Sequence, residues 1–268
     1  MGLKIGKPTS DRMPVVFIGH GNPMNAIAQN DFSQTLTKLG KELPTPRAIL
    51  VVSAHWLTAG TWVTGMQKPR TIHDFYGFPE ELFAVQYPAP GSPEVAAEVK
   101  AQVEKPVVHI DENSWGLDHG TWSVLRHVYP QANIPVIQLS IDMSEPPQFH
   151  LDLGQKLAKL RDQGVLIVGS GNIVHNLRQI RWGGDSSFAF DWATEFDEQV
   201  KQALLSGNHS ELLTKLPESS AGRLSVPTPD HYYPLLYAVG AATKNEEPRF
   251  IYEGIEMGSI SMRTLVYG

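Results

Sequence analysis

The 268-residue chain contains no cysteine. Disulfides, thiolate nucleophiles, iron–sulfur clusters and cysteine-type zinc sites are therefore excluded. Any transition metal must be held by His, Asp or Glu. Charge is sparse and leans acidic, with 22 Lys and Arg against 28 Asp and Glu, a formal net charge of −6 and a pI near 5.9. A nucleic-acid binder normally carries a basic stripe, so that class is set aside. No apolar run is long enough to span a bilayer. No apolar stretch follows the first basic residues, so no secretory leader is expected. Met1-Gly2 invites a myristoylation reading, but Gly6 stands where Ser or Thr is needed. A soluble, cytoplasmic protein with no nucleic-acid or membrane partner is the expectation. Several catalytic motifs are missing too. There is no GxGxxG after the first apolar run, no P-loop and no His-Glu-x-x-His, and Val168-Gly169-Ser170-Gly171-Asn172 breaks the GxSxG spacing.

Hydrophobic residues make up 41% of the chain and charged residues 19%, the composition of a globular protein able to bury a substantial core. Apolar runs alternate with helix-like segments. Strands are expected at Val15–His20, Ile49–His55, Val107–Ile110, Ile134–Ile141, Val165–Gly169, Phe250–Tyr252 and Ile260–Val266. Helices are expected at Asp31–Leu43, Glu94–Val103 after a Ser92 cap and Pro93, His119–Tyr129, Phe149–Leu160, Asp191–Leu205 and His231–Val239. Residues 57–90, rich in Pro, Gly and aromatics, read as one long ordered loop. The alternation predicts an α/β fold: a central mixed, mostly parallel sheet flanked by helices on both faces. No linker divides the chain, so residues 1–268 are expected to form a single catalytic domain.

Ten histidines stand out. Imidazole is the commonest protein ligand for transition metals. His20 and His55 each end an apolar strand, on two strands expected to be neighbours, and strand C-termini are where open α/β sheets bind ligands. A shared metal is the natural reading of that pair. His175 follows a third strand end, His119 opens a helix behind Asp118, and His231 opens another after Pro227-Thr228-Pro229-Asp230. Each of the last three also has a plain structural role open to it. His73 lies in an aromatic loop that could line a pocket. His109, His127, His150 and His209 read as structural or solvated.

Several strings resemble the class III extradiol ring-cleaving dioxygenases, and most closely the 4,5-DOPA dioxygenase group. They include Gly19-His20-Gly21, Pro23-Met24-Asn25, Ser53-Ala54-His55-Trp56, Thr71-Ile72-His73-Asp74-Phe75, Trp115-Gly116-Leu117-Asp118-His119-Gly120, Val174-His175-Asn176, His231-Tyr232 and Glu253-Gly254-Ile255-Glu256. One departure is Asn22, where Ser is expected; beside a ligand it would alter the hydrogen bonding there. The resemblance implies His20, His55 and His231 as metal ligands, His175 as a general base that also reaches the metal when substrate is absent, and His119 as a general acid. It implies Fe(II) in the working enzyme, and an all-histidine set also suits Zn²⁺ in protein as isolated. The implied reaction joins a catechol such as L-DOPA to O₂ and opens the ring beside the diol. His73, Phe75, Tyr76 and Trp56 are candidates to stack on that ring, and Arg178 to meet a substrate carboxylate, against its plainer reading as a surface arginine.

Two other readings compete. A zinc hydrolase on a similar scaffold would need a carboxylate base near the metal, for which Glu253 or Glu256 would have to serve. A binding protein that kept the fold and lost the chemistry is the second; the presence of all five site histidines argues against it.

Overall fold

A computed structural model describes residues 12–183 and 188–268; the Met1-Gly2 reading lies outside them. Ten strands are described: β1 (Val15–Gly19), β2 (Ala48–Thr58), β3 (Thr61–Thr64), β4 (Val108–Asp111), β5 (Val136–Asp142), β6 (Val165–Gly171), β7 (Arg249–Tyr252), β8 (Ile255–Glu256), β9 (Ile260–Ser261) and β10 (Thr264–Tyr267). The α-helices are α1 (Asp31–Glu42), α2 (Glu80–Phe83), α3 (Pro93–Gln102), α4 (His119–Val128), α5 (Pro147–Leu157), α6 (Asp191–Leu205), α7 (Ser220–Ser225) and α8 (Tyr233–Ala241). Eight strands form one mixed sheet in the order β4-β3-β5-β2-β6-β1-β10-β7. Its centre, β5-β2-β6-β1, is parallel; β10 runs antiparallel to β1, and β7 antiparallel to β10.

The near-continuous apolar runs follow from burial on both faces. Successive residues alternate between two cores: Val15 and Phe17 pack on one side of the sheet, Val16 and Ile18 on the other. Apolar residues of α3, α5, α6 and α8 fill the first core, and those of α1 and α4 the second. All nine residues of α8 are buried. Ser92 caps α3 through Val95 N–H (3.2 Å), with Pro93 in its first turn, as its sequence predicts. Among the described residues no helix is long and apolar enough to cross a membrane.

Five expectations need correction. The strands bearing His20 and His55 are not neighbours, because β6 lies between them; local sequence does not reveal which later strand fills a crossover. The second strand does not stop at His55. Its ladder to β5 breaks after Val52↔Leu139 and resumes at Leu57↔Ile141, so five steps along β2 meet two along β5. His55 sits in that bulge, a device that re-aims side chains beside functional sites. Residues 57–90 are not all loop, since they contain β3 and α2. The segment Ile260–Val266 is two strands, β9 and β10, and α8 begins at Tyr233, two residues after His231.

The segment carrying His231 lies directly on the end of β6, where Asn172 N–H donates to the His231 carbonyl (2.8 Å). Gly171 makes that approach possible, because a Cβ there would collide with the same carbonyl oxygen. Gly171→Ala should therefore lower stability by about 1–3 kcal/mol, as overpacking does, and displace His231. Denaturant titration alongside metal titration checks it; a variant with unchanged stability would contradict this packing.

Candidate metal centre

The C-terminal end of the parallel sheet gathers five histidines. His20 follows β1, and Gly21 after it adopts φ +62°, a backbone region that favours glycine. His55 comes from the β2 bulge, His119 is the first residue of α4, and His175 and His231 come from loops after β6 and before α8. His20, His55 and His231 each offer a ring nitrogen within 4.8 Å of the other two. The Nε2 atoms of His20 and His55 are 3.2 Å apart.

The outer nitrogen of each ring faces a polar partner. His20 Nδ1 lies 3.0 Å from Ser170 Oγ. The Ser170 hydroxyl already donates to the Gly120 carbonyl (2.5 Å), so its oxygen accepts from His20. His231 Nδ1–H donates to Asp230 Oδ2 (2.5 Å). His55 Nδ1 faces Asp74 Oδ2 at 3.4 Å. A carboxylate accepts only, so the Asp230 contact puts the His231 proton on Nδ1 and leaves its Nε2 with a lone pair. Burial first, then neighbouring imidazoles, holds His20 and His55 well below the ordinary histidine value of 6.5. They are neutral at pH 7. The two Nε2 atoms face each other at hydrogen-bond distance, 3.2 Å, so that one cation can take the place of a proton shared between them. Ligands about 2.0–2.1 Å from a tetrahedral metal stand about 3.3 Å apart. The donor set therefore fits a transition metal of the kind imidazole prefers.

His119 and His175 flank this trio. Asp74 grips His119 twice, through Nδ1–H (2.9 Å) and through its backbone N–H (2.8 Å). Asp118, fully buried, caps α4 through Thr121 N–H and also accepts from Ser53 Oγ (2.7 Å) and Gln138 Nε2 (2.6 Å), which ties the start of α4 to β2 and β5. Burial, then the charge of Asp74, raises the Asp118 carboxyl above its ordinary value. His175 lies flat against His231, ring centres 3.5 Å apart and planes within 7°. Burial and the neighbouring His231 push His175 well below 6.5, so it is a neutral proton acceptor at pH 7. It groups with Asp230 and His231, and stands outside the His20–His55–His231 set.

A cavity of about 620 Å³ opens onto all five histidines, within the usual range for small-molecule sites. The chain matches, over residues 14–262, the family described as the catalytic LigB subunit of aromatic ring-opening dioxygenase. The chain belongs to that family. It is 50% identical over 262 residues to an Escherichia coli (strain K12) protein named 4,5-DOPA dioxygenase extradiol, covering 97% of this chain and 96% of that one. A Beta vulgaris protein of the same name is 38% identical, covering 91% and 92%. The crystal structure of an uncharacterized Escherichia coli K12 protein superposes with a TM-score of 0.84 at 46% identity, covering 96% of this chain and 100% of that one. LigB-family dioxygenases are oxidoreductases that use a non-haem metal, and the histidine cluster is where this member can hold one.

Within this LigB member, Phe75 and Tyr76 line the cavity as expected, but His73 and Trp56 do not. His73 donates to the Val85 carbonyl (2.9 Å), and Trp56 is buried and stacked on Trp115. Arg178 is exposed and absent from the cavity wall, in keeping with a surface arginine. Asn22 does not touch the ligand rings; its side chain accepts from Met24 N–H (2.9 Å) and reaches Met257 Sδ. Neither Glu253 nor Glu256 faces the histidines. Glu253 pairs with Lys201 and Arg263, and Glu256 accepts from Asn25, on a different cavity wall, which leaves the hydrolase reading without its base. Sequence reasoning missed Asp74, Asp118, Asp230 and Ser170. Three of them, Asp74, Asp118 and Asp230, adjoin histidines it had named, and adjacency was the available signal.

Replacing Asp74 or Asp230 by Asn should weaken metal binding about 10–100-fold, the usual cost of losing an outer partner of a ligand; chelator competition measures it. Stability of the metal-free protein should fall with acid. His20, His55 and His175 sit below 6.5 when folded, so below 6.5 the unfolded chain binds protons that the folded chain refuses. Their contribution favours the unfolded state increasingly as pH falls from about 7.5 to about 5.5. A urea midpoint that rises over that interval would contradict the burial of these rings.

Proposed function

We propose that this chain is an extradiol dioxygenase that opens the ring of catechols beside the diol, with His20, His55 and His231 holding one Fe(II) ion and residues 1–268 acting as one catalytic domain in the cytoplasm. L-DOPA, the compound in the names of its relatives, is the first substrate to test, for cleavage between carbons 4 and 5. The reading rests on one observation above all: the ring nitrogens of His20, His55 and His231 converge within 4.8 Å of one another in an aromatic-walled cavity. Bound there, Fe(II) supplies Lewis acidity toward the diol and an electron route to O₂; Zn²⁺ fits the same ligands and supplies only the first.

The remaining residues bind, orient and move protons. Phe75 packs edge-on to His119 (5.5 Å) and forms the wall beside a catechol ring. His175, neutral at pH 7, accepts a proton from one catechol hydroxyl. Its stacking on His231, a proposed metal ligand, supports a place beside the diol. His119, with Nδ1–H committed to Asp74, faces the cavity with Nε2 and delivers a proton to oxygen as the ring opens. Gripped at two points by Asp74, it cannot swing away between those roles.

Anaerobic reconstitution with Fe(II), then L-DOPA and air, should give stoichiometric oxygen uptake and a yellow ring-opened product. Zn²⁺-loaded protein should give neither. No uptake with L-DOPA, caffeate or protocatechuate, despite one Fe(II) bound per chain, would contradict the reading for common catechols. His175→Ala should lower turnover by at least about a hundredfold with metal still bound. Turnover near that of the unaltered enzyme would remove His175 as the base.

A further inference from the structure

His175 stands on a loop that is gripped from two sides. On one side is the end of α7: His175 N–H donates to the Ser225 carbonyl (2.8 Å), and the Asn176 side chain donates to the Leu224 carbonyl (2.7 Å). On the other side is β9, which bridges His175 at Ile260 in the antiparallel sense. Around that bridge, Ser261 N–H donates to the Val174 carbonyl (2.9 Å), Asn176 N–H to the Ser259 carbonyl (3.1 Å) and the Ser259 hydroxyl to the Asn176 carbonyl (2.9 Å). Side chains alternate along a strand. Ile260 lines the histidine cavity, and its neighbours Ser259 and Ser261 find partners elsewhere. A two-residue strand has little hold of its own, so β9 is only as well placed as whatever anchors it. The anchor is Asp197 on α6. Its Oδ1 accepts from Ser261 Oγ (2.5 Å), and its Oδ2 accepts from Arg263 Nε (3.0 Å). Ser261, Arg263 and Asp197 are all buried, and hydrogen bonds to a buried carboxylate are stronger than exposed ones.

We propose that Asp197 is a positioning residue for ring opening: through the Ser261 hydroxyl it holds β9, and β9 holds His175 at the catechol oxygen. The proposal rests on the ring-cleaving reading and adds to it a residue on the wall of a separate cavity, beside Glu253 and Arg263. A base must reach its proton within hydrogen-bond distance, and a misplacement of about 1 Å costs about a hundredfold in rate. Ser261 has a second tie. Its carbonyl accepts from Asn172 Nδ2 (2.8 Å), and Asn172 N–H donates to the His231 carbonyl. Loss of the hydroxyl therefore has two routes to the site, through the base or through a proposed metal ligand, and a double-mutant cycle with His175 separates them.

Ser261→Ala removes one hydroxyl and leaves the Asp197–Arg263 pair in place, so the variant should fold. On Fe(II)-loaded enzyme with L-DOPA, its kcat should fall about 10–100-fold, with KM changed less. In a His175→Ala background the same substitution should cost less than about twofold, because the two residues act as a unit. Glu253→Gln, which alters the Arg263 network from its exposed side without touching Ser261, should leave kcat within about twofold. NMR of the histidine rings in Zn²⁺-loaded protein reads the same geometry without turnover. Ser261→Ala should shift or split the His175 signals and leave those of His20 and His55 in place. An unchanged kcat, equal losses with and without His175, or an unmoved His175 ring overturns the proposal. The expected NMR change with no oxygen uptake by the unaltered enzyme would instead overturn the ring-cleaving reading and leave the hold of Asp197 on His175 standing.

Discussion

Two of the three histidines that converge at the centre, His20 and His231, are held by the outer ring nitrogen, and that hold decides which nitrogen faces inward. Ser170 shows the logic most sharply. Its hydroxyl proton is committed to the Gly120 carbonyl, so its oxygen has only lone pairs to offer His20. Asp230 does the same for His231, and Asp74 stands 3.4 Å from the outer nitrogen of His55. Without these partners the imidazoles could adopt either tautomer, and a lone pair at the centre would be a matter of chance. Burial then keeps His20 and His55 neutral, because the charged form has no water to stabilise it.

The fold exists, in this sense, to bring those partners together. Strand β6 lies between the strands bearing His20 and His55, and it contributes Ser170 from its own end. The β2 bulge lifts His55 out of the ladder toward the same point. Asp118 fastens the start of α4 to both β2 and β5, which fixes His119 relative to the trio. Asp74 joins the two halves of the site, since one carboxylate oxygen faces both His55 and His119. The residue expected to hold a metal and the residue expected to deliver a proton therefore share a single anchor.

Sequence reading captured what depends on local pattern. The buried parallel strands, the Ser92 cap and the placement of His20, His119 and His175 at element boundaries all follow from spacing and residue type. The insertion of β6 between β1 and β2 did not, because strand order is decided by crossovers between distant segments. The bulge at His55 was hidden for a related reason: the run Ile49–Trp56 is apolar whether or not its ladder is continuous. Of two candidates in Ile72-His73-Asp74-Phe75, the imidazole drew attention and the carboxylate does the anchoring. His73 turns to the Val85 carbonyl instead, a partner 12 residues away that no motif announces. Ser170 looked like part of a broken hydrolase motif, and its role emerges only once β6 is set beside β1.

The measurement that bears most directly on this account is ¹⁵N NMR of the histidine rings in Zn²⁺-loaded protein. It reports, ring by ring, which nitrogen carries a proton and which carries metal. The account predicts His20, His55 and His231 bound through Nε2 with Nδ1 protonated, and His175 and His119 free of metal. Metal on Nδ1 of any of the three, or a ligand set that omits one of them, would contradict it.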